Sequence, residues 1–241
     1  MLIDVSTLWL IMAIFFITSF VRASVGFGDA LMAMPLLSLV VGIQTATPLF
    51  ALVGVSISYV ILARSWRHVD IRSAWRLILA SFVGIPFGLY WLTNIPEEVV
   101  TTILGVGVMF FGLYNLFAPP LPLLLGERWG YAFGFFAGIL GGAYNTNGPP
   151  IVVYGTLKRW DPEQFRSTLQ AYFAFAGLMI LAAHGLAGLW TQQIVQTYLF
   201  IMPAAISAIV LGSKASRYIP VPLFRRIIYG VLICVGFFLI I

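Results

Sequence analysis

Long apolar runs recur along almost the whole chain and are separated only by short polar stretches. Most of these runs approach the roughly 20 residues that an α-helix needs to cross the hydrocarbon core of a membrane. They occupy residues 5–22, 44–63, 73–93, 97–118, 165–187, 191–212 and 221–241. Shorter pieces interrupted by glycine and proline occupy residues 25–41, and 129–142 together with 148–157. The pattern predicts an all-α polytopic membrane protein.

Composition agrees with this class and excludes others. Hydrophobic residues make up 61% of the 241 positions, charged residues only 9%, and the mean hydropathy is +1.01. A soluble domain of this length could not hide so much apolar surface. The net charge of +5 comes from scattered residues without a basic face or a recognition motif, so we expect no nucleic-acid partner. Because Cys234 is the only cysteine, a disulfide within one chain is excluded.

Basic residues predict the path of the chain through the membrane. Twelve of the thirteen Lys and Arg residues fall in four polar stretches, at 64–76, in the linker 119–128, at 158–166 and at 214–226. Positive-inside bias places these stretches in the cytoplasm. Both termini are then expected on the opposite side. Since the first ten residues contain Asp4 and no basic residue, we expect the first apolar run to be retained rather than cleaved as a signal peptide.

This path predicts two inverted-topology repeats, each a broken or re-entrant helical hairpin plus three transmembrane helices. The first repeat, 1–118, contains the hairpin 5–41 and the spans 44–63, 73–93 and 97–118. After the cytoplasmic linker 119–128, the second repeat, 129–241, contains the hairpin 129–157 and the spans 165–187, 191–212 and 221–241. Gly26 stands nine residues before Pro35, and Gly141 nine before Pro150. Interrupted segments at matching positions of inverted halves point to a substrate site at the membrane midplane.

The second hairpin offers groups that suit an anion. Pro149 and Pro150 disfavour helix before them, so a helix should end near Tyr144 and restart near Pro150. A restarted helix presents unpaired N–H groups and a positive dipole end. The alternative is that the glycines pack helices and the polar residues cap them. The predicted substrate-binding residues here are Gly141, Gly142, Asn145, Thr146, Asn147 and Gly148.

The first hairpin contains two charges away from the polar loops, Arg22 and Asp29. Charges at membrane depth are costly and usually functional. Arg22 is either an anchor that snorkels to the cytoplasmic edge or a residue that attracts the anion or pairs with Asp29. Asp29 is a protonatable coupling group, a partner of Arg22, or a helix cap. We predict substrate-binding roles for Arg22, Gly26 and Gly28, and coupling or gating roles for Asp29, Pro35, Pro149 and Pro150.

Over nearly its full length the sequence resembles the sulfite exporter TauE/SafE family, also grouped as toluene-sulfonate-uptake-type permeases. The resemblance is carried by Ser24-Val-Gly-Phe-Gly-Asp29 leading to Pro35, and by Gly138-Ile-Leu-Gly-Gly142 leading to Pro149-Pro150. It implies secondary transport of sulfite, sulfoacetate or another small sulfonate across a prokaryotic inner membrane. The side on which the basic residues predict both termini is then the periplasm. Phe27 and Asp29 interrupt the first motif, and Tyr144 to Asn147 add polar groups to the second, so the size and charge of the substrate stay open.

The leading interpretation is a secondary transporter, an exporter of a small sulfur-containing anion, whose halves rock to alternate access. The alternative is an uptake permease or channel for another oxyanion or carboxylate, and a further one is a membrane scaffold without a solute. The sequence contains no P-loop motif and no catalytic constellation in its spans, so we expect neither an enzyme nor a cofactor. His68 and His184 lack companions at ligand spacing, which argues against a metal site. The apolar faces rich in small residues are compatible with a homodimer.

Overall fold

The computed structural model describes residues 4–117, 123–124, 126–215 and 221–240, and these are almost entirely helical. The helices are α1 (Val5–Val25), α2 (Asp29–Val41), α3 (Ile43–Ser65), α4 (Ile71–Asn94), α5 (Glu97–Phe117), α6 (Trp129–Tyr144), α7 (Gly148–Leu157), α8 (Pro162–Leu186), α9 (Gln192–Ala215) and α10 (Val221–Phe238), with a 3₁₀ turn at Trp66–His68. The predicted all-α class is confirmed. Parts of two predicted elements, residues 118–122 and 125 around the linker and 216–220 of the last basic stretch, lie outside the described residues.

Six helices of the described chain, α1, α3, α4, α5, α8 and α9, are long and apolar enough to cross a membrane. They coincide with six of the seven long apolar runs, and α10 lies on the seventh. Large apolar side chains such as Phe82, Phe110 and Leu199 are exposed on the outside of the bundle. A water-soluble protein would bury such surface, whereas a bilayer accommodates it. The chain is therefore a multi-pass membrane protein.

A break of three residues separates α1 from α2, and another separates α6 from α7. We call them the first break and the second break. Between α1 and α2, Gly26 and Gly28 have φ values of +99° and +100°, which only glycine adopts at little cost. Between α6 and α7, Asn145 ends α6 with a φ of +54°, a left-handed conformation that asparagine tolerates. Helix α6 ends at Tyr144 as predicted, while α7 begins at Gly148, two residues before Pro150.

The bundle is built largely from four helix pairs, α4 with α6, α1 with α9, α5 with α10 and α3 with α8. Glycines bring the backbones of α4 and α6 into contact. A Cβ atom on Gly138 would lie 2.5 Å from the carbonyl oxygen of Ser81, and one on Gly88 would lie 2.0 Å from that of Ile139. Close approach through small residues is the usual way in which membrane helices associate. Because α6 ends at the second break, α4 fixes the position of that break.

Three of the four basic stretches lie together at one end of the bundle. The carboxylate of Glu127 accepts hydrogen bonds from Arg76 at 3.1 Å and from Lys158 at 2.6 Å. The backbone N–H of Asp70 donates to the hydroxyl of Thr168 at 2.9 Å. These contacts join the stretch after α3, the linker and the stretch after α7. We call this the basic end of the bundle.

Candidate functional site

A small cavity with both polar and apolar walls lies where the two breaks meet α3 and α8. Its volume is about 40 Å³, enough for about three water molecules. Arg22 and Asp29 are its charged residues, and the other residues that line it are uncharged. We call it the central cavity. It is lined by Arg22, Phe27, Gly28, Asp29, Ala30, Leu31, Phe50, Ala51, Gly54, Val55, Ser58, Asn145, Thr146, Asn147, Gly148, Pro149, Phe173, Gly177 and Ile180.

Arg22 is buried and held by several acceptors. Its Nη1 donates to the Asp29 carboxylate at 2.7 Å and to the Gly54 carbonyl at 3.2 Å. Its Nη2 donates to the Ser58 hydroxyl and to Gln170 Oε1, the latter at 2.7 Å. Only 3% of its surface is exposed. Of the two alternatives for Arg22, the structure therefore shows the buried partner of Asp29 and not the snorkelling anchor, because α2 folds Asp29 back onto it and α8 covers it.

Asp29 is the partner of Arg22 and does not cap its helix. It is the first residue of α2, and Gly28 occupies the N-cap position without a side-chain cap bond. Its carboxylate is buried and lies at the positive end of the α2 dipole as well as beside the guanidinium. A buried carboxylate needs such compensation, since an unpaired one would cost several kcal/mol, about 3–5 in measured cases.

The break between α6 and α7 contains side chains of two kinds. The Asn145 amide donates to the Thr47 carbonyl at 2.6 Å, so it ties the break to α3. Thr146 and Asn147 are 4% and 7% exposed and line the central cavity. Neither side chain takes part in any hydrogen bond that the structure describes, and Asn147 forms no cap bond to α7. Their polar groups are therefore available to a ligand.

The predicted site residues divide into three groups by position. Eight of them line the central cavity, namely Arg22, Gly28, Asp29, Asn145, Thr146, Asn147, Gly148 and Pro149. Gly26 faces Arg166 beside a second cavity. Gly141 and Gly142 pack against Ile180 and the Ile85 carbonyl, while Pro35 lies inside α2 and Pro150 in the first turn of α7.

Two further parts of the site lie within long apolar runs and were missed. Ser58 and Gln170 hold Arg22, and neutral polar residues in a span give little signal. The aromatic walls of the cavity give a clearer sequence signal, because α3 and α8 each contain a phenylalanine four residues before a glycine. The two motifs are Phe50-Ala-Leu-Val-Gly54 and Phe173-Ala-Phe-Ala-Gly177. The first phenylalanine and the glycine of each motif line the cavity, and the Arg22 guanidinium lies 5.2 Å from the Phe173 ring centroid.

A polytopic helical bundle with a polar cavity between broken helices is the architecture of a membrane transport protein. The chain belongs to the sulfite exporter TauE/SafE family, whose sequence model matches residues 11–239. It is thus a member of a transporter family and not an enzyme. A curated relative, "Probable sulfite/organosulfonate exporter TauE" of Cupriavidus necator, is 24% identical over 80% of this chain and 77% of its own length. No solved structure matches the chain.

Proposed function

We propose that this protein exports sulfite or a small organosulfonate across a prokaryotic inner membrane and binds the anion in the central cavity. One observation carries the proposal. Two helix N-termini, a buried guanidinium, and the unbonded side chains of Thr146 and Asn147 converge on one small cavity. Membership of the family and the printed name of the Cupriavidus relative support a sulfur-containing anion.

The donors suit a compact oxyanion. Each helix N-terminus carries the equivalent of about half a positive charge. In α7 the prolines at positions 149 and 150 supply no N–H, so the donors of that terminus are the N–H groups of Asn147 and Gly148. Arg22 and Asp29 together are formally neutral, and an anion can draw Arg22 away from Asp29. The Asp29 carboxylate would then be freed, and we assign Asp29 a coupling or gating role in export.

The helix pairing supports the two inverted repeats, and we propose that these repeats alternate access to the central cavity. Exchanging α1–α5 with α6–α10 converts the pair α1 with α9 into α6 with α4, and leaves α3 with α8 and α5 with α10 unchanged. Helices α3 and α8 cross beside the central cavity, where a Cβ atom on Gly177 would lie 2.4 Å from Val55 Cγ2. Rocking of one half against the other about this crossing would open the cavity to either side.

Substrate binding and flux test this function. Purified protein is heated with sulfite, sulfoacetate, taurine, thiosulfate, sulfate or acetate, and a native-state ligand raises the midpoint of unfolding by mass action. Proteoliposomes loaded with the stabilising anion are then assayed for efflux. We expect sulfite or a sulfonate both to stabilise the protein and to be transported. Stabilisation and flux with acetate alone would instead favour a carboxylate permease, and neither effect with any anion would contradict the proposal.

Alanine at position 147 is expected to weaken anion binding about 10- to 100-fold, because a hydrogen bond to a charged ligand is worth about 1.5–3 kcal/mol. The ligand-free protein should keep its stability, since the Asn147 side chain forms no described hydrogen bond. Asn145→Ala is the matched control. It removes the bond to Thr47 and places alanine at a positive φ, so it should lower the midpoint of unfolding even without ligand. Equal effects of both variants on ligand-free stability would contradict this division of roles.

The topology makes a separate prediction, that both termini are periplasmic. The basic end would face the cytoplasm, because Lys and Arg are enriched on that side. A reporter that is active only in the periplasm, fused after residue 241, should give full signal, and one that is active only in the cytoplasm should give none. The reverse result would overturn the inverted-repeat path. A fusion inserted at the basic stretch 158–166 provides the opposite control.

A further inference from the structure

A second cavity of about 210 Å³ shares Arg22 with the central cavity. We call it the inner vestibule. It extends towards the basic end, because Arg166 belongs to the basic stretch 158–166. It is lined by Arg22, Ala23, Gly26, Val60, Ile61, Arg166, Gln170, Ile209 and Ser213. These residues include two arginines and no carboxylate.

Arg166 is the uncompensated charge of the inner vestibule. None of the ion pairs that the structure describes includes it, and its Nη2 lies 3.4 Å from the Ser24 carbonyl oxygen, a weak contact. Its side chain runs beside Gly26 in the first break, where a Cβ atom would lie 3.2 Å from Arg166 Cγ. Arg22, by contrast, is paired with Asp29 and is neutralised.

A hydrogen-bonded network, which we call the lock, joins residues that line the two cavities. It consists of Arg22, Asp29, Ser58 and Gln170. Gln170 accepts from Arg22 through Oε1 and donates through Nε2 to the Gly26 carbonyl at 2.8 Å. It therefore ties α8 to the first break. Arg166 lies four residues before Gln170 in α8, so both side chains lie on one face of that helix.

We infer that the inner vestibule is a second anion-binding site, in which Arg166 holds a small oxyanion or sulfonate before it passes Arg22 into the central cavity. The inference rests on the proposed function, because it assigns the cytoplasmic access route of the same substrate. An exposed charge next to a water-accessible cavity raises the local concentration of anions and their rate of association. An anion on Arg166 would also lie beside the hydrogen bonds that Gln170 forms with Arg22 and with the Gly26 carbonyl.

Uptake of sulfite or sulfoacetate into inside-out membrane vesicles, which expose the cytoplasmic face, tests this site. Arg166→Gln removes the charge and keeps an amide. We expect it to raise KM about tenfold with little change in kcat, and to flatten the rise of KM with salt that the wild-type protein should show. Arg166→Lys should restore most of the affinity. Arg72→Gln, which removes an exposed charge of another basic stretch, should behave as wild type.

The outcomes separate this inference from the proposed function. Wild-type flux with an unchanged KM and salt dependence in Arg166→Gln would refute the vestibule site and leave the central site intact. Absence of flux in the wild-type protein would refute both. A lower midpoint of unfolding in Arg166→Gln without ligand, together with a reduced kcat and no rescue by lysine, would show that Arg166 only braces the break through Ser24.

Discussion

Replacing Arg22 by glutamine is expected to reduce anion flux about 100-fold or more and to lower the free energy of unfolding by about 3–5 kcal/mol. The substitution has two consequences, one for anion binding and one for folding. The central cavity loses its only described cationic donor, and the buried carboxylate of Asp29 loses the guanidinium 2.7 Å away. Flux in proteoliposomes and thermal unfolding in detergent measure the two effects separately.

A double variant distinguishes binding from folding. Arg22→Gln combined with Asp29→Asn removes both charges, so most of the lost stability should return while flux stays low. Asp29→Asn alone keeps the cation and a hydrogen-bond acceptor, and should bind anions more tightly because the competing carboxylate is gone. Recovery of wild-type flux in the double variant would mean that Arg22 serves folding alone. Arg22→Lys keeps the charge but loses the planar guanidinium that donates to several acceptors at once, so we expect only partial flux.

The helices could be predicted from the sequence because each apolar run is bounded by charged or turn-forming residues. The breaks were predictable for a related reason, since glycine and proline cluster there. Gly26 and Gly28 occupy left-handed backbone that other residues resist, and the prolines at 149 and 150 fix where α7 begins. Local chemistry determines all of these features.

The environment of Arg22 could not be predicted in this way. About 17 helical residues from the outer face give a rise of about 25 Å, which is compatible with either the membrane edge or a buried position. Tertiary contacts decide between them, and two of the acceptors stand 36 and 148 positions away in the chain. His184 shows the same limit. It stands near the end of the apolar run 165–187, yet it is buried in α8 with Nε2 3.4 Å from the Gly142 carbonyl oxygen, a contact that the sequence does not reveal.

Leucine at position 88 is expected to prevent assembly of the bundle. A Cβ atom on Gly88 would already lie 2.0 Å from the Ile139 carbonyl oxygen and 2.7 Å from the backbone nitrogen of Ala143. The obstacle is backbone, so a side-chain rotation cannot relieve it, and α4 and α6 would have to separate. Overpacking of rigid contacts costs about 1–3 kcal/mol and occasionally more, and a full leucine at such a distance should exceed that range. Little folded protein should be recovered in detergent.

Gly107 provides the matched control, because it lies exposed within α5 and an added Cβ atom would meet nothing within 4 Å. Gly107→Leu should therefore fold as well as wild type, and its higher helix propensity is worth up to about 1 kcal/mol. Gly88→Ala is the informative intermediate. It should still assemble in part, but any shift of α6 moves Asn145 and Asn147 at its end, so the remaining folded protein should bind the anion more weakly. Wild-type stability in Gly88→Leu would mean that α4 and α6 do not pack through their glycines, and the second break would then lack the support that positions it.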